Sequence, residues 1–298
     1  VTTGSPVTTT ETPKPFRRGR SVPETGALIV VLIGMCVFFT VQSEYFLTGQ
    51  NITNILVSAS VIGIVAAPAT LLLVSANFDL SVASGAALIG VVMAWGAAEY
   101  GIPQAILLCI VTGILIGVVN GFSVTVIGIN ALITTLAMLA ILRGLAQVIA
   151  GGQTLLLPDF GGIGNARPLF DIPAPVFIFI GVMIVSSLVM RYTIYGRSMY
   201  AIGANPVAAR LAGIKTKRAI FTGFILSGLA VVLGGLILVS QLGAASPQAA
   251  TGLELTVVTA VILGGASLAG GRGSILGTLL GVMILGVMNN GMTLMNID

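Results

Sequence analysis

The sequence predicts an all-α, polytopic membrane helix bundle of about 8–10 spans, one of them broken near 253–275. Three observations predict it. Charged residues make up only 7% of the chain and hydrophobic residues 56%, with a mean hydropathy of +1.09; a soluble domain carries roughly 25% charged residues. Apolar runs long enough to cross a bilayer recur along the chain. Ten of the 13 basic residues fall in just two segments, Lys14–Arg20 and Arg191–Arg218. That clustering follows the positive-inside bias and places both segments on the cytoplasmic side. The net charge of +4 is therefore topology, and no nucleic-acid patch is expected.

Residues 1–24 are rich in Thr, Pro and Ser and read as a disordered cytoplasmic tail. Residues 25–298 read as the membrane domain. Arg17-Arg18 raises a twin-arginine signal as an alternative. The apolar run that follows leads into Gln42-Ser43-Glu44-Tyr45 without a small-residue cleavage site, so it reads as a first membrane helix. Apolar runs then lie at Gly26–Val41, Ile52–Ser75, Val82–Ala98, Ile102–Ile127, Ala131–Ala150 and Ala174–Met190. An even number of spans puts tail and basic loop on one side, as their charge requires. Glu44, Glu99, Asp159 and Asp171 then fall outside. Beyond the loop come Ala219–Leu242, an outer link at Gly243–Gly252, Leu253–Leu263, and a last run at Ile275–Met295.

Leu253–Leu263 is short. At 1.5 Å per residue it covers about half of the ~30 Å hydrocarbon core. Gly264–Ser274 interrupts it with glycine-rich sequence, which gives a half-helix, a break and a helix. Such interruptions are the sequence mark of a transporter's site. A second interruption, Ser75–Val82, carries Asn77, Asp79 and Ser81, with Asp79 expected as N-cap of the next helix. The stretches after the breaks, Ser84–Met93 and Leu276–Ile284, share a faint pattern that a remnant repeat or simple convergence would explain.

Gly113, Gly117 and Gly121, and likewise Gly273, Gly277 and Gly281, recur every fourth residue, a spacing that lets a neighbouring helix approach closely. Cys36 and Cys109 read as buried hydrophobes, and the chain has no histidine, so no metal site is expected. Gly264–Ser274 lacks both nucleotide-loop patterns; any ATP dependence would come from a partner. Polar groups inside the apolar runs are few: Asn120, Asn130, Thr134, Thr135, Arg143, Asn289 and Asn290. An intramembrane charge marks function by default, although Arg143 can also snorkel outward. The asparagines can bind a polyhydroxyl solute or join helices. Glu254 suits either a gate or the positive end of a half-helix.

In the basic loop, Asn205-Pro206 is a helix start, with Asn as N-cap and Pro in the first position. Val207–Leu211 supply the turns and Gly213 the stop. A short helix lying along the membrane face suits docking into another protein. The plainer reading is a basic loop that obeys the topology rule.

Gly203-Ala204-Asn205-Pro206-Val207-Ala208-Ala209-Arg210-Leu211-Ala212-Gly213-Ile214 resembles the coupling helix of permeases in ribose-type ABC sugar importers. Three further blocks carry the resemblance. Asn77-Phe78-Asp79-Leu80-Ser81-Val82 is similar to that family's I-D-L-S-V-G block, with Asn77, Phe78 and Ala83 departing from it. Asn120-Gly121 with Leu132–Met138 and Leu142–Leu145 is similar to its N-G, I-T-L and R-G-L blocks. Leu253–Thr256 through Ser274 and Asn290-Gly291 make the last, with Thr256 where the family has Asp. The resemblance spans about residue 50 to 297.

It implies a permease subunit in the bacterial inner membrane, N-terminus cytoplasmic, pairing with a second permease copy around one solute path. It implies a cytoplasmic ATPase, which carries the ATP and magnesium, docked on Gly203, Ala204, Asn205, Pro206, Ala208, Ala209, Arg210, Gly213 and Ile214. It implies an extracytoplasmic solute-binding protein, and a further span beyond Asp298. The reading is import of a monosaccharide or polyol by alternating access, along a path through Asn77, Asp79, Ser81, Asn120, Asn130, Thr134, Arg143, Glu254 and Asn290. The alternative, an ion-coupled carrier of a small polar solute, would want carboxylates inside the spans for coupling. A membrane enzyme would want a nucleophile-base pair that the sequence lacks.

Overall fold

The computed structural model describes residues 24–169 and 171–297. The segment read as a disordered tail lies outside them, save Glu24. The helices are α1 (Glu24–Gln42), α2 (Gly49–Val74), α3 (Val82–Tyr100), α4 (Ile102–Phe122), α5 (Ala131–Ala150), α6 (Gly162–Asn165), α7 (Ala174–Tyr192), α8 (Ile194–Ala204), α9 (Pro206–Leu211), α10 (Thr216–Leu242), α11 (Leu253–Leu263) and α12 (Ile275–Leu294). Among the described residues, 8 helices are long and apolar enough to cross a membrane, and α11 is the shorter apolar one. The expected apolar runs each became a helix. Two residue pairs, β1 (Leu155–Leu156) and β2 (Ala244–Ala245), join antiparallel. They link the α5–α6 connection to the link after α10.

Local chemistry sets the boundaries. Thr48 and Asn130 cap α2 and α5, accepting from Asn51 N and Leu132 N. Gly101, at φ 89°, lets the chain leave α3 and enter α4 at once, with Pro103 in the first turn of α4. A π-turn, Ser123–Ile127, carries α4 onward. Two features differ from the sequence reading. The basic loop holds a second helix, α8, capped by Thr193, whose side chain accepts from Gly196 N at 3.1 Å. In addition, α10 begins at Thr216, so Lys217 and Arg218 form its first turn.

Burial divides the spans. In α3 78% of the hydrophobic window is buried and in α2 72%, against 6% in α1. The core is therefore α2, α3 and α10, with α1, α4, α5, α7 and α12 around it. The outer helices show apolar side chains such as Val30, Leu107, Ile133 and Val185 outward, as lipid-facing surfaces do. Glycine sets the closest approach. A Cβ on Gly117 would lie 2.6 Å from Phe224 O, and one on Gly113 would lie 2.7 Å from Gly228 O, so α4 and α10 meet backbone to backbone. Gly121 receives the Phe221 ring. Gly277 and Gly281 similarly seat α12 on the carbonyls of Gly264 and Ala260. Gly273 does not share their helix face. It precedes α12 at φ 151° and packs against Val74 and Ala266; the four-residue spacing is there a coincidence across a helix start.

Buried polar pairs complete the bundle. The Thr70 and Thr278 hydroxyls meet at 2.7 Å between α2 and α12. Asn51 and Asn290 exchange two amide hydrogen bonds, 2.9 and 2.8 Å, at the far ends of the same helices. Since a side chain on Gly117 must push α4 from α10, Gly117→Val is expected to lower stability by roughly 1–3 kcal/mol. Gly34→Ala, with open space around it, should change little. Thermal unfolding of both variants in detergent checks this.

Candidate functional site

The first break follows Val74. Ser75 N and Asn77 N both donate to Leu72 O, at 3.0 and 2.9 Å, and Ala76 takes φ 59°. Asn77 closes the turn, donating from Nδ2 to Ser75 O at 2.9 Å. The chain then runs through Asn77–Leu80 without regular structure back into the bundle.

Asp79 is buried there. Its Oδ1 accepts from Ser81 N at 3.0 Å and from Ser81 Oγ at 2.6 Å. Its Oδ2 accepts from Ser227 Oγ at 2.7 Å. Asn120 Nδ2 donates to Ser81 Oγ at 2.9 Å. These bonds have one direction: Asn120 gives to Ser81, and Ser81 and Ser227 give to Asp79. Asp79 is thus not the N-cap that the sequence reading made it. Ser81 occupies that position, without a side-chain capping bond, and the Asp79 carboxylate keeps one oxygen on Ser81 and reaches α10 with the other. Ser227 is eleven residues into α10, roughly 16 Å along it, so this knot lies at membrane depth.

The second break leaves α11 at Gly264 and reaches α12 at Ile275. Gly271 N donates to Val74 O at 2.8 Å, which stitches it to the end of α2. Gly270 and Gly271, at φ 82° and 75°, lie against Ala76 and Ala204. The two breaks are therefore neighbours, and α8 lies over them. Tyr200 Oη donates to Gly273 O at 2.7 Å and Tyr195 Oη to Ala219 O at 3.1 Å. Burial pushes the ionisation of both phenols upward, so both remain donors.

On α9, Asn205 Oδ1 accepts from Val207 N and Ala208 N, each at 3.0 Å, and Gly213 at φ 83° ends the turn. One residue of the expected docking face, Ala209, is turned inward. Ala209 is 3% exposed, whereas Val207 is 55% and Leu211 86% exposed. Ala204, Asn205, Pro206, Ala208, Arg210 and Gly213 are exposed, while Gly203 and Ile214 are half-buried. Ala209 belongs to the seat of the helix, and Val207 and Leu211 are the side chains it offers.

The remaining candidates are dispersed. Asn130 is an exposed cap. Asn290 is spent on Asn51. Arg143 does not stand free: its Nη1 donates to Pro247 O and Ala249 O, at 2.6 and 2.9 Å, and so clamps the link between α10 and α11. Glu254, in the first turn of α11, lies within Coulombic reach of it. Asn120 Oδ1, Thr134 Oγ1 and Glu254 Oε2 are buried without a hydrogen-bond partner among the described residues. Ser227, Thr70, Thr278, Asn51 and Tyr200 were not singled out in the sequence. Ser227 and Thr278 could have been, as hydroxyls in otherwise apolar runs.

The family described as branched-chain amino acid transport system / permease component matches residues 51–297, through both breaks and α8–α9. The chain belongs to that family. The ribose import permease protein RbsC of Escherichia coli (strain K12) is 38% identical over 282 residues, covering 92% of this chain and 87% of that protein. The L-arabinose transport system permease protein AraH of the same strain is 38% identical over 299 residues, covering 95% and 87%. The fructose import permease protein FrcC of Rhizobium meliloti is 33% identical over 290 residues, covering 93% and 80%. No solved structure matches the chain. The protein is thus a multi-pass membrane permease, and its two breaks belong to the region that the family shares.

In this permease Asp79 faces donors only. Asp79→Asn keeps one acceptor oxygen for Ser81 but makes the Ser227 hydroxyl turn to accept from the amide NH2, and is expected to cost roughly 1–3 kcal/mol. Ser227→Ala removes one donor and should cost less. The order of their melting temperatures in detergent, wild type above Ser227→Ala above Asp79→Asn, checks the direction of the network.

Proposed function

We propose that this chain is the transmembrane subunit of an ATP-binding cassette importer that brings a monosaccharide or related polyol into the cytoplasm. The observation that carries the reading is α9, a capped single-turn helix that holds Val207 and Leu211 out from the basic face. Exposed apolar side chains on a surface this basic suit a protein groove better than water. The relatives' names point the same way: they are import permeases for ribose, L-arabinose and fructose. The family description speaks of branched-chain amino acids, but the individual relatives named above, each covering most of this chain, are named for sugars, which supports a sugar as the solute.

In this reading the basic face is cytoplasmic, by the charge of Arg191, Arg197, Arg210, Lys215, Lys217 and Arg218, and so is the N-terminus. A separate ATPase subunit binds ATP and magnesium and grips α9. A second permease copy completes the path, and an extracytoplasmic binding protein delivers the solute. Alternating access follows as the ATPase pair closes and opens. The path runs beside the two breaks, where backbone leaves helical geometry inside the bundle. Asn120, Thr134 and Glu254 keep hydrogen-bonding capacity that a polyhydroxyl solute can use. Asp79 and Ser81 shape the wall rather than contact the solute, since their groups are already engaged, and Asn77 spends its Nδ2 on Ser75.

An ion-coupled carrier is the competing reading, and Asp79 is its best residue. It is disfavoured because, among the described residues, Asp79 is the one carboxylate enclosed in the bundle and all three of its hydrogen bonds tie it to Ser81 and Ser227, with no second ionisable group beside it to pass an ion along.

Co-purification with candidate ATPase subunits tests the reading. Leu211→Asp should lower capture at least ~10-fold, the loss of about 1.4 kcal/mol or more of interface free energy, with unchanged membrane insertion and melting. Ala209→Asp should instead lower melting, because it puts a charge into a buried seat. Capture by the wild type that Leu211→Asp leaves intact would remove α9 from the docking surface.

A further inference from the structure

Three chain segments with almost no side chain meet beneath α8. Gly203 sits near the end of α8, one residue before the chain turns into α9. A Cβ there would collide with Val74 O and with Gly271 N, the two atoms that hydrogen-bond across the breaks at 2.8 Å. Gly270 lies 3.0 Å from both Ala76 and the Gly203 Cα, measured from the position its Cβ would take. Three residues before Gly203, on the same helix, Tyr200 donates to Gly273 O at 2.7 Å. One helix therefore touches the end of α2, where the first break begins, and the Gly270–Gly273 side of the second.

That helix is otherwise firmly held. Met199 and Ile202 are buried. Gly196 packs on the backbone of Val189 and Met190 at the end of α7, and Tyr195 reaches Ala219 O on α10. Close-packed elements of this kind move as bodies, because contact without intervening flexible side chains leaves little slack. From Val74 the chain needs only five residues to reach Asp79, whose carboxylate ties the first break to Ser227 on α10.

We propose that Tyr200 and Gly203 are positioning residues for transport: they tie α8–α9 to both breaks, so that a displacement of the docking helix moves Ser75–Ser81 and Gly264–Ser274 together. The inference rests on the ATP-driven reading above. Tyr200 supplies the directional link to the second break. Gly203 keeps α8 close enough for the Val74 and Gly271 backbones to share one junction. Neither residue touches the solute.

The test uses the full chain assembled with its ATPase in inside-out vesicles. A reporter thiol, Ala269→Cys, stands at an exposed position in the second break, with Cys36→Ala and Cys109→Ala removing the native thiols. Its labelling rate by a charged maleimide is compared without nucleotide and after trapping with ATP and vanadate. Trapping should change the rate in the parent chain. Tyr200→Phe should shrink that change roughly 5-fold, about the equilibrium worth of one hydrogen bond, while ATPase capture stays as in the parent and melting falls no further than in Tyr195→Phe. Tyr195→Phe deletes the same hydroxyl from the same helix but frees only Ala219 O, and should leave the change intact. Gly203→Ala, if it inserts, should abolish the change.

A trapping response unaffected by Tyr200→Phe, or reduced equally by Tyr195→Phe, would overturn the inference while leaving the ATPase reading in place. Captured ATPase without any trapping response in the parent would also overturn it. A parent chain that captures no ATPase would overturn the reading beneath it, and the inference with it.

Discussion

Backbone polar groups inside a bilayer must be satisfied without water, and this chain leaves helical geometry at two neighbouring places, one enclosed around Asp79 and one partly exposed at Ala269 and Arg272. The whole arrangement depends on how those places are satisfied. At the first, Leu72 O takes two amides and Asp79 takes Ser81 N. At the second, Gly271 N finds Val74 O, so each break supplies a partner for the other. Had the breaks been far apart, each would have needed its own polar lining. Their adjacency is why a carboxylate, two serines and an asparagine suffice at the first, and glycine backbone at the second.

The same economy explains the packing. The most enclosed helices, α2, α3 and α10, are those that meet the first break, and they lie close because Gly85 and Gly235 at the α3–α10 seam and Gly223 at the α2–α10 seam remove side chains from the contact. Among the described residues, ionisable side chains stay out of this interior except for Asp79. Among the described residues the sole ion pair, Arg167–Asp171 at 2.7 Å, is on the surface, where such a pair adds little stability. The interior is thus held by apolar packing, close backbone contact and a few directed hydrogen bonds. Such a scaffold can shift between packed arrangements without pulling buried charges apart, which suits a protein that must open alternately to two sides.

Much of this was legible in the sequence. Apolar runs located the spans, because length and hydropathy alone decide what can cross a bilayer. The shortness of Leu253–Leu263 and the polar residues of Ser75–Val82 located both breaks. Asn205, Pro206 and Gly213 located α9 to the residue, since cap, first turn and stop each have a specific chemistry. The failures have a common cause. α8 was hidden because Thr193 is a weak cap signal and the helix is too polar and too short to stand out. Ala209 looked like a docking residue because a six-residue helix does not reveal in sequence which side it turns to the bundle. Asp79 looked like an N-cap because spacing allowed it, and only the packing of α10 put Ser227 in competition for its carboxylate. Asn290 and Arg143 found partners, Asn51 and the Pro247–Ala249 carbonyls, that are far away along the chain.

The measurement that bears most directly on the account is uptake into proteoliposomes holding this chain, its ATPase and its binding protein, with ribose, arabinose and fructose offered in turn. The account predicts that accumulation of at least one of them requires ATP on the side of the basic face and survives ionophores that collapse proton and sodium gradients. Accumulation that proceeds without ATP and disappears with the ionophores would contradict it, and would return Asp79 to the role of a coupling carboxylate.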